Sequence, residues 1–134
     1  MKTIEVVAAV IVKDGKILAT QRGYGDLEGG WEFPGGKVEP GEAPEKAVVR
    51  EIHEELAARV TVERPLVTVE HDYDTFHMVL RCYVCTLAEG ERPTLLEHKA
   101  ARWVDARDID EVAWLPADLK VVRAVKEAGI LGGR

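Results

Sequence analysis

Three glutamates, Glu51, Glu54 and Glu55, crowd into the stretch from Gly36 to Ala58, GKVEPGEAPEKAVVREIHEELAA. Wound as a helix from Pro44, they fall near about 340°, 280° and 20°, within roughly a third of the circumference. Val48, Ile52, Leu56 and Val49 fall between about 40° and 140°, the arc expected to face a core, so the carboxylates border the apolar stripe. At about 5 Å and an effective dielectric near 20, each pair of carboxylates repels by roughly 3 kcal/mol. A divalent cation removes that cost, and Mg²⁺ prefers carboxylate oxygens together with waters and substrate phosphates. Arg50 lies four residues before Glu54 and is placed to pair with it. Spacing alone leaves a solvated acidic helix face as an equal alternative. Upstream, Gly35-Gly36-Lys37 can expose a backbone carbonyl to a cation while the lysine reaches phosphate, although such a tripeptide is ordinarily just a turn.

The elements that must position these groups are legible in outline. Thr3 to Lys13 reads as a buried strand, and Asp14-Gly15 as a hairpin turn into a second strand, Lys16 to Thr20. Gln21 to Gly41 reads as a loop with seven glycines, and a loop this long in a compact domain is usually functional. A helix is expected over Ala43 to Ala58, with Pro44 in its first turn. Short strands follow at Arg59 to Val62 and Leu66 to His71, separated by Pro65, then turn chemistry at Asp72-Tyr73-Asp74. Thr75 to Thr86 alternates as a long strand, and Ala101 to Val104 as a short one. A last helix is expected from Leu119 to Ala128, stopped by Gly129, with Leu119, Val122, Val125 and Ala128 facing the core. No internal repeat or linker is evident, so residues 1–134 form one domain, an α/β sandwich around a mixed sheet.

Composition narrows the partners. The chain has 134 residues, 24 Asp plus Glu against 18 Lys plus Arg, and a formal net charge of −6. It lacks the field expected of a protein that wraps a nucleic-acid polymer or coats an anionic membrane. A small anionic ligand stays open, because a divalent cation inverts the local charge. The longest apolar run, Val6 to Val12, is too short to span a bilayer, and no cleavage site follows it. With two cysteines in all, a reducing cytoplasm is the expected compartment. Cys82 and Cys85 have C-x-x-C spacing inside a strand, where positions three apart face opposite sides, so neither metal nor dithiol chemistry is expected. His53, His71, His77 and His98 form no ligand cluster, though His98 adjoins Glu97 and could support it. Trp31, Trp103 and Trp114 read as packing residues, with Trp114 also placed to line a pocket beside Asp118.

Gly36, Glu42, Arg50, Glu51, Ile52, Glu54 and Glu55 together resemble the Nudix box, the signature of the Nudix hydrolase superfamily. At usage near 6% per residue type, six fixed matches arise by chance on the order of once in 10⁷ windows. Ala57 and Ala58 depart from the glycine and bulky aliphatic usual at the end of that box. Glu5 to Ile11, Gln21-Arg22, Trp31 to Glu39 and Leu115 to Asp118 are similar to the MutT branch, which includes oxidised-nucleotide sanitising enzymes and CTP or 5-methyl-dCTP pyrophosphohydrolases.

The resemblance implies a Nudix-type α/β/α sandwich and hydrolysis of a (deoxy)nucleoside triphosphate, of 8-oxo-dGTP or CTP/5-methyl-dCTP type, to monophosphate and pyrophosphate. It implies Mg²⁺ or Mn²⁺ held by the Gly35 carbonyl, Glu51, Glu54, Glu55 and Glu97. One of Glu51, Glu54 and Glu97 would activate water, and attack at the β-phosphorus is favoured. It also implies Arg22 and Lys37 on phosphate, Phe33 against the base, Asp118 on the base edge, and Glu32, Pro34 and Gly35 in the substrate site. Read from the residues alone, Glu97 is an exposed loop glutamate, Phe33 is equally core packing, and Asp118 has a helix cap as its alternative role. Two other functions stay open: a pyrophosphatase for ADP-ribose or another nucleoside diphosphate derivative, and a non-catalytic nucleotide-binding module. A monomer and a homodimer are both compatible with the sequence.

Overall fold

The computed structural model describes residues 1–23, 25, 27–96 and 98–132. Strand β1 (Lys2–Lys13) is the spine. It runs into β2 (Lys16–Arg22) through Asp14 and Gly15, both at positive φ as a two-residue hairpin turn requires, with Val12 opposite Ile17. The stretch from Gln21 to Gly41, expected to be loop throughout, instead folds back in two short strands. These are β3 (Trp31–Glu32), paired with β2, and β4 (Gly35–Lys37), paired antiparallel with β1 over Val6 to Ala8. Helix α1 (Pro44–Leu56) leads to β5 (Val60–Asp72) and β6 (Phe76–Leu87). β6 lies parallel to β1 from Lys2↔Phe76 to Ile11↔Cys85, so the sheet is mixed. β7 (His98–Val104) pairs with β2, a 3₁₀ turn spans Ile109–Glu111, and α2 (Pro116–Glu127) closes the described fold.

The unbroken apolar run of β1 is explained by burial on both faces. Val7, Ala9 and Ile11 join Ala47, Val48, Ile52 and Leu56 of α1 in one core cluster. The alternate residues Ala8 and Val10 join Val121, Val122 and Val125 of α2 in the other. Two helices thus sandwich a mixed sheet, as expected. Cys82 and Cys85 fall into opposite clusters, and burial pushes the Cys85 thiol up to about 12. No described helix is long and apolar enough to cross a membrane.

Several boundaries move. β5 runs straight through Pro65, with register shifts between Val62 and Arg64 and between Pro65 and Val67. Among the described residues it pairs only with β6 and forms an edge, where a residue without an N–H is tolerated at a bulge. Helix α2 begins at Pro116, three residues before the expected start, which turns Ala117, Asp118 and Val121 inward and leaves Leu119 55% exposed. Ala128 is likewise exposed. On α1, Ala47 is buried and Val49 exposed, so the buried arc is rotated toward the glutamates.

The departure at the end of the glutamate stretch has a structural consequence. Ala57 ends α1 in the left-handed conformation, φ 52° and ψ 35°, its N–H bonded to the His53 carbonyl. An L-residue with a Cβ costs roughly 1–2 kcal/mol there. Ala57 is exposed, so removing its methyl forfeits little packing. Ala57→Gly is therefore expected to raise the unfolding free energy by about 1 kcal/mol, read as a higher urea midpoint at unchanged slope.

Candidate active site

The close seating of β4 on β1 demands glycine. A Cβ on Gly35 would collide with the Val7 carbonyl, and a Cβ on Gly36 would fall on the Glu51 carboxylate. The strand that opens the Gly36–Ala58 stretch is thus shaped to receive a carboxylate from the helix that follows it. With Ala47, Val48, Ile52 and Leu56 all buried, Glu51 and Glu55 lie inside the buried arc of α1 rather than along its border. Their side chains are 14% and 13% exposed, against 52% for Glu54.

Arg50 holds this assembly together. Its Nε and Nη2 donate to Glu42 at 2.7 and 2.9 Å, and Nη2 also donates to the Lys37 carbonyl at 3.0 Å. Its Nη1 donates to Glu51 at 2.9 Å and to Glu54 at 3.1 Å, the latter being the expected pairing four residues along the helix. The guanidinium holds the Glu42 carboxyl down to about 2, helped by the Glu39 N–H. One cation therefore ties the loop, β4 and two of the three glutamates into a single frame, offsetting part of their repulsion. Glu55 faces His98 of β7, with 3.6 Å between Oε1 and Nε2.

Among the described residues, no three His, Cys, Asp or Glu side chains converge on one point as they stand. Glu51 and Glu54 meet instead on one nitrogen of Arg50. Their chemistry nevertheless fits a hard divalent cation, since carboxylates from one helix edge can turn toward such an ion without moving the backbone. Glu97 lies outside the described residues.

A cavity of about 380 Å³ adjoins this edge. Of the residues selected from sequence, Arg22, Glu32, Phe33, Gly35, Lys37, Glu55 and Asp118 line it. Pro34 is buried, and its carbonyl takes the Ala9 N–H at 2.8 Å. Arg22 is paired with Glu32 through two contacts, 2.6 and 3.3 Å, so its charge is already engaged. Phe33 belongs to the core, one of the two places expected for it, and also to the cavity wall. It is stacked on Trp114 at 4.8 Å and 13°. Trp114 backs it and donates from Nε1 to the Ile109 carbonyl.

Asp118 is 6% exposed, and its Oδ1 accepts the Phe33 N–H at 3.0 Å. Burial pushes its carboxyl up to about 7, against the pull of that hydrogen bond. Leu115, not Asp118, holds the cap position of α2, and from the first turn of that helix the acid reaches across to the residue after β3. Sequence reasoning missed Tyr73 and Phe76, which also line the cavity. The available signal was two aromatics flanking Asp74-Thr75 in a turn, where polar residues suffice.

A family model described as the NUDIX domain matches residues 1–125. The chain is 38% identical over 125 residues to the CTP pyrophosphohydrolase of Escherichia coli K12, covering 92% of each protein. It is 38% identical over 118 residues to a putative 8-oxo-dGTP diphosphatase 2 of Mycobacterium tuberculosis, covering 84% of this chain and 81% of that one. Among solved structures it resembles a MutT protein of the Nudix hydrolase family from methicillin-resistant Staphylococcus aureus 252. The TM-score is 0.76 at 43% identity, covering 95% of this chain and 99% of the other.

Proposed function

The chain belongs to the Nudix hydrolase family, and from that premise we propose that it cleaves a nucleoside triphosphate to monophosphate and pyrophosphate. The observation that carries this reading is the shared cavity. Glu55, at the end of the acidic helix edge, lines the same space as Phe33 and the buried acid Asp118. One ligand with a polyphosphate at one end and a base at the other fits both sets of groups.

Glu51, Glu54 and Glu55 would hold the divalent cation, Mg²⁺ or Mn²⁺, with the Gly35 carbonyl and Glu97 as further ligands. When bound, it supplies positive charge that neutralises phosphate oxygens during in-line displacement. The chain's own groups do the rest. Lys37 and Arg22 orient the phosphates, Arg22 by exchanging part of its contact with Glu32. Glu51, Glu54 or Glu97 accepts a proton from the attacking water. Phe33 offers an apolar surface to the base, and Asp118 a carboxyl to its amino edge. Pairing with guanine or 8-oxoguanine uses the ionised acid, whereas pairing with cytosine uses the protonated one. A carboxyl near 7 has both forms within reach at neutral pH.

The deciding experiment is a panel of CTP, 5-methyl-dCTP, dGTP, 8-oxo-dGTP and ADP-ribose with Mg²⁺ and chromatographic product analysis. Monophosphate plus pyrophosphate from a triphosphate is the expected result. Preferred cleavage of ADP-ribose, or binding without turnover, would overturn it.

The two adjacent glycines separate chemistry from folding. Gly36→Ala meets the flexible end of Glu51 and is expected to keep the parental melting temperature while lowering kcat. A carboxylate shifted by about 1 Å costs roughly a hundredfold. Gly35→Ala meets the Val7 carbonyl, which cannot yield, and is expected to lower the melting temperature itself.

A further inference from the structure

The aromatic pair at the β5–β6 turn has no part in the chemistry above. The Tyr73 N–H donates to the Phe76 carbonyl at 2.9 Å, closing the turn. Its ring stacks on Phe76 with centroids 5.0 Å apart and 28° between planes, and His71 abuts it edge-on at 4.7 Å. Two ring contacts fix the orientation of a side chain that a solvent-facing turn would leave free. Tyr73 and Phe76 both line the cavity that Phe33 and Asp118 line. Burial and the nearby Asp118 charge push the phenol up from its ordinary value, although Arg22 opposes them. The hydroxyl thus keeps its proton at neutral pH and can donate. Phe33 provides no polar side-chain atom, and ionised Asp118 only accepts. The Arg22 guanidinium nearby is engaged by Glu32, so Tyr73 supplies a neutral donor to this part of the wall.

We infer that Tyr73 is a specificity-determining residue: its ring lies along the base, and its hydroxyl donates to a base carbonyl while Asp118 takes the amino group. The inference rests on the proposed function only for the presence of a base in this cavity. Cytosine and guanine each present an amino group and a carbonyl on their pairing edge. Adenine has the amino group and the adjacent N1 acceptor but a C2–H at the place where those two bases carry the carbonyl, so a Tyr73 hydroxyl set to meet the carbonyl is left unpaired, which a cell rich in adenine nucleotides would make useful. One buried polar group without a partner is enough for roughly tenfold discrimination.

The test is calorimetric titration of CMP, GMP and AMP into the parent protein and Tyr73→Phe, with triphosphate product analysis of the parent run separately. The parent is expected to bind CMP or GMP at least about tenfold tighter than AMP. Tyr73→Phe keeps the ring and is expected to erase most of that ratio by weakening the favoured monophosphate, with AMP binding and melting temperature unchanged. Tyr73→Leu also removes the ring and is expected to weaken all three. An unchanged ratio in Tyr73→Phe, equal weakening of all three by Tyr73→Phe, or a parent without base preference would overturn the inference. Loss of base preference in Tyr73→Phe while the parent leaves every triphosphate intact would instead overturn the pyrophosphohydrolase reading and leave this one standing.

Discussion

Glu55→Gln is expected to lower turnover by at least about a hundredfold at saturating Mg²⁺, with Glu54→Gln close behind. A neutral amide is a poor ligand for a hard cation, so the loss should appear in kcat and in metal affinity together. The stability effects should differ between the two. Glu55 is largely buried beside His98, and neutralising it removes charge from a crowded helix edge. In metal-free buffer Glu55→Gln is expected to melt at or above the parental temperature. Glu54 is half exposed and bonded to Arg50, a pair worth roughly 0–1 kcal/mol, so its replacement should be close to neutral. Mg²⁺ with a non-hydrolysable triphosphate should raise the parent's melting temperature, because the ligand binds only the folded chain, and should raise that of Glu55→Gln far less. Near-parental turnover in Glu55→Gln would remove this carboxylate from the metal site.

Asp118→Asn is expected to change both substrate ranking and the response to pH. The acid's folded value is raised to about 7, above the ordinary 3.8, because burial penalises its charge. Between those values the folded state binds more protons than the unfolded chain, so this group's contribution to stability declines as pH rises from about 4 to 7. The slope is about 1.4 kcal/mol per pH unit at most, and it is flat above the folded value. Asparagine can still accept the Phe33 N–H but cannot ionise. The variant should therefore gain on the parent in melting temperature from pH 4 to 8, and a constant difference would show that Asp118 does not titrate in that window. For activity, the amide supplies a donor and an acceptor at once, which suits cytosine over guanine. A shift in relative kcat/KM toward cytosine of roughly ten- to a hundredfold is expected. In the parent, selectivity for cytosine should fall as pH rises, whereas selectivity for a guanine-type base should hold or grow. Asp118→Asn should flatten either trend, and an unchanged ranking would leave the acid with no part in reading the base.

What the sequence determined by itself follows from short-range periodicity. The spacing of Glu51, Glu54 and Glu55 places them on one edge of a helix whatever the helix packs against, because 3.6 residues per turn is a property of the backbone. The Asp14-Gly15 turn and the two-sided burial of β1 were likewise written locally, in positive-φ residues and an unbroken apolar run. The Nudix box, similarly local, carried the family and with it the class of reaction.

Only the tertiary structure decided which side of each helix is covered. Val49 and Leu119 are apolar and lie near the expected stripes, yet both are exposed, because the sheet meets an arc rotated from the one hydrophobicity alone suggests. Pro65 read as a break and is a bulge, since edge position, which no local window contains, makes its missing N–H harmless. The contacts that complete the site are more distant still. The Phe33 N–H meets Asp118 across 85 positions, and Tyr73 reaches their cavity from a turn whose sequence signals only a change of direction. Such encounters depend on how the strands are ordered and on where the loop of β3 and β4 lies against β1. The acidic edge was therefore legible from spacing, whereas the pocket that would choose its substrate is made by elements brought together only when the chain folds.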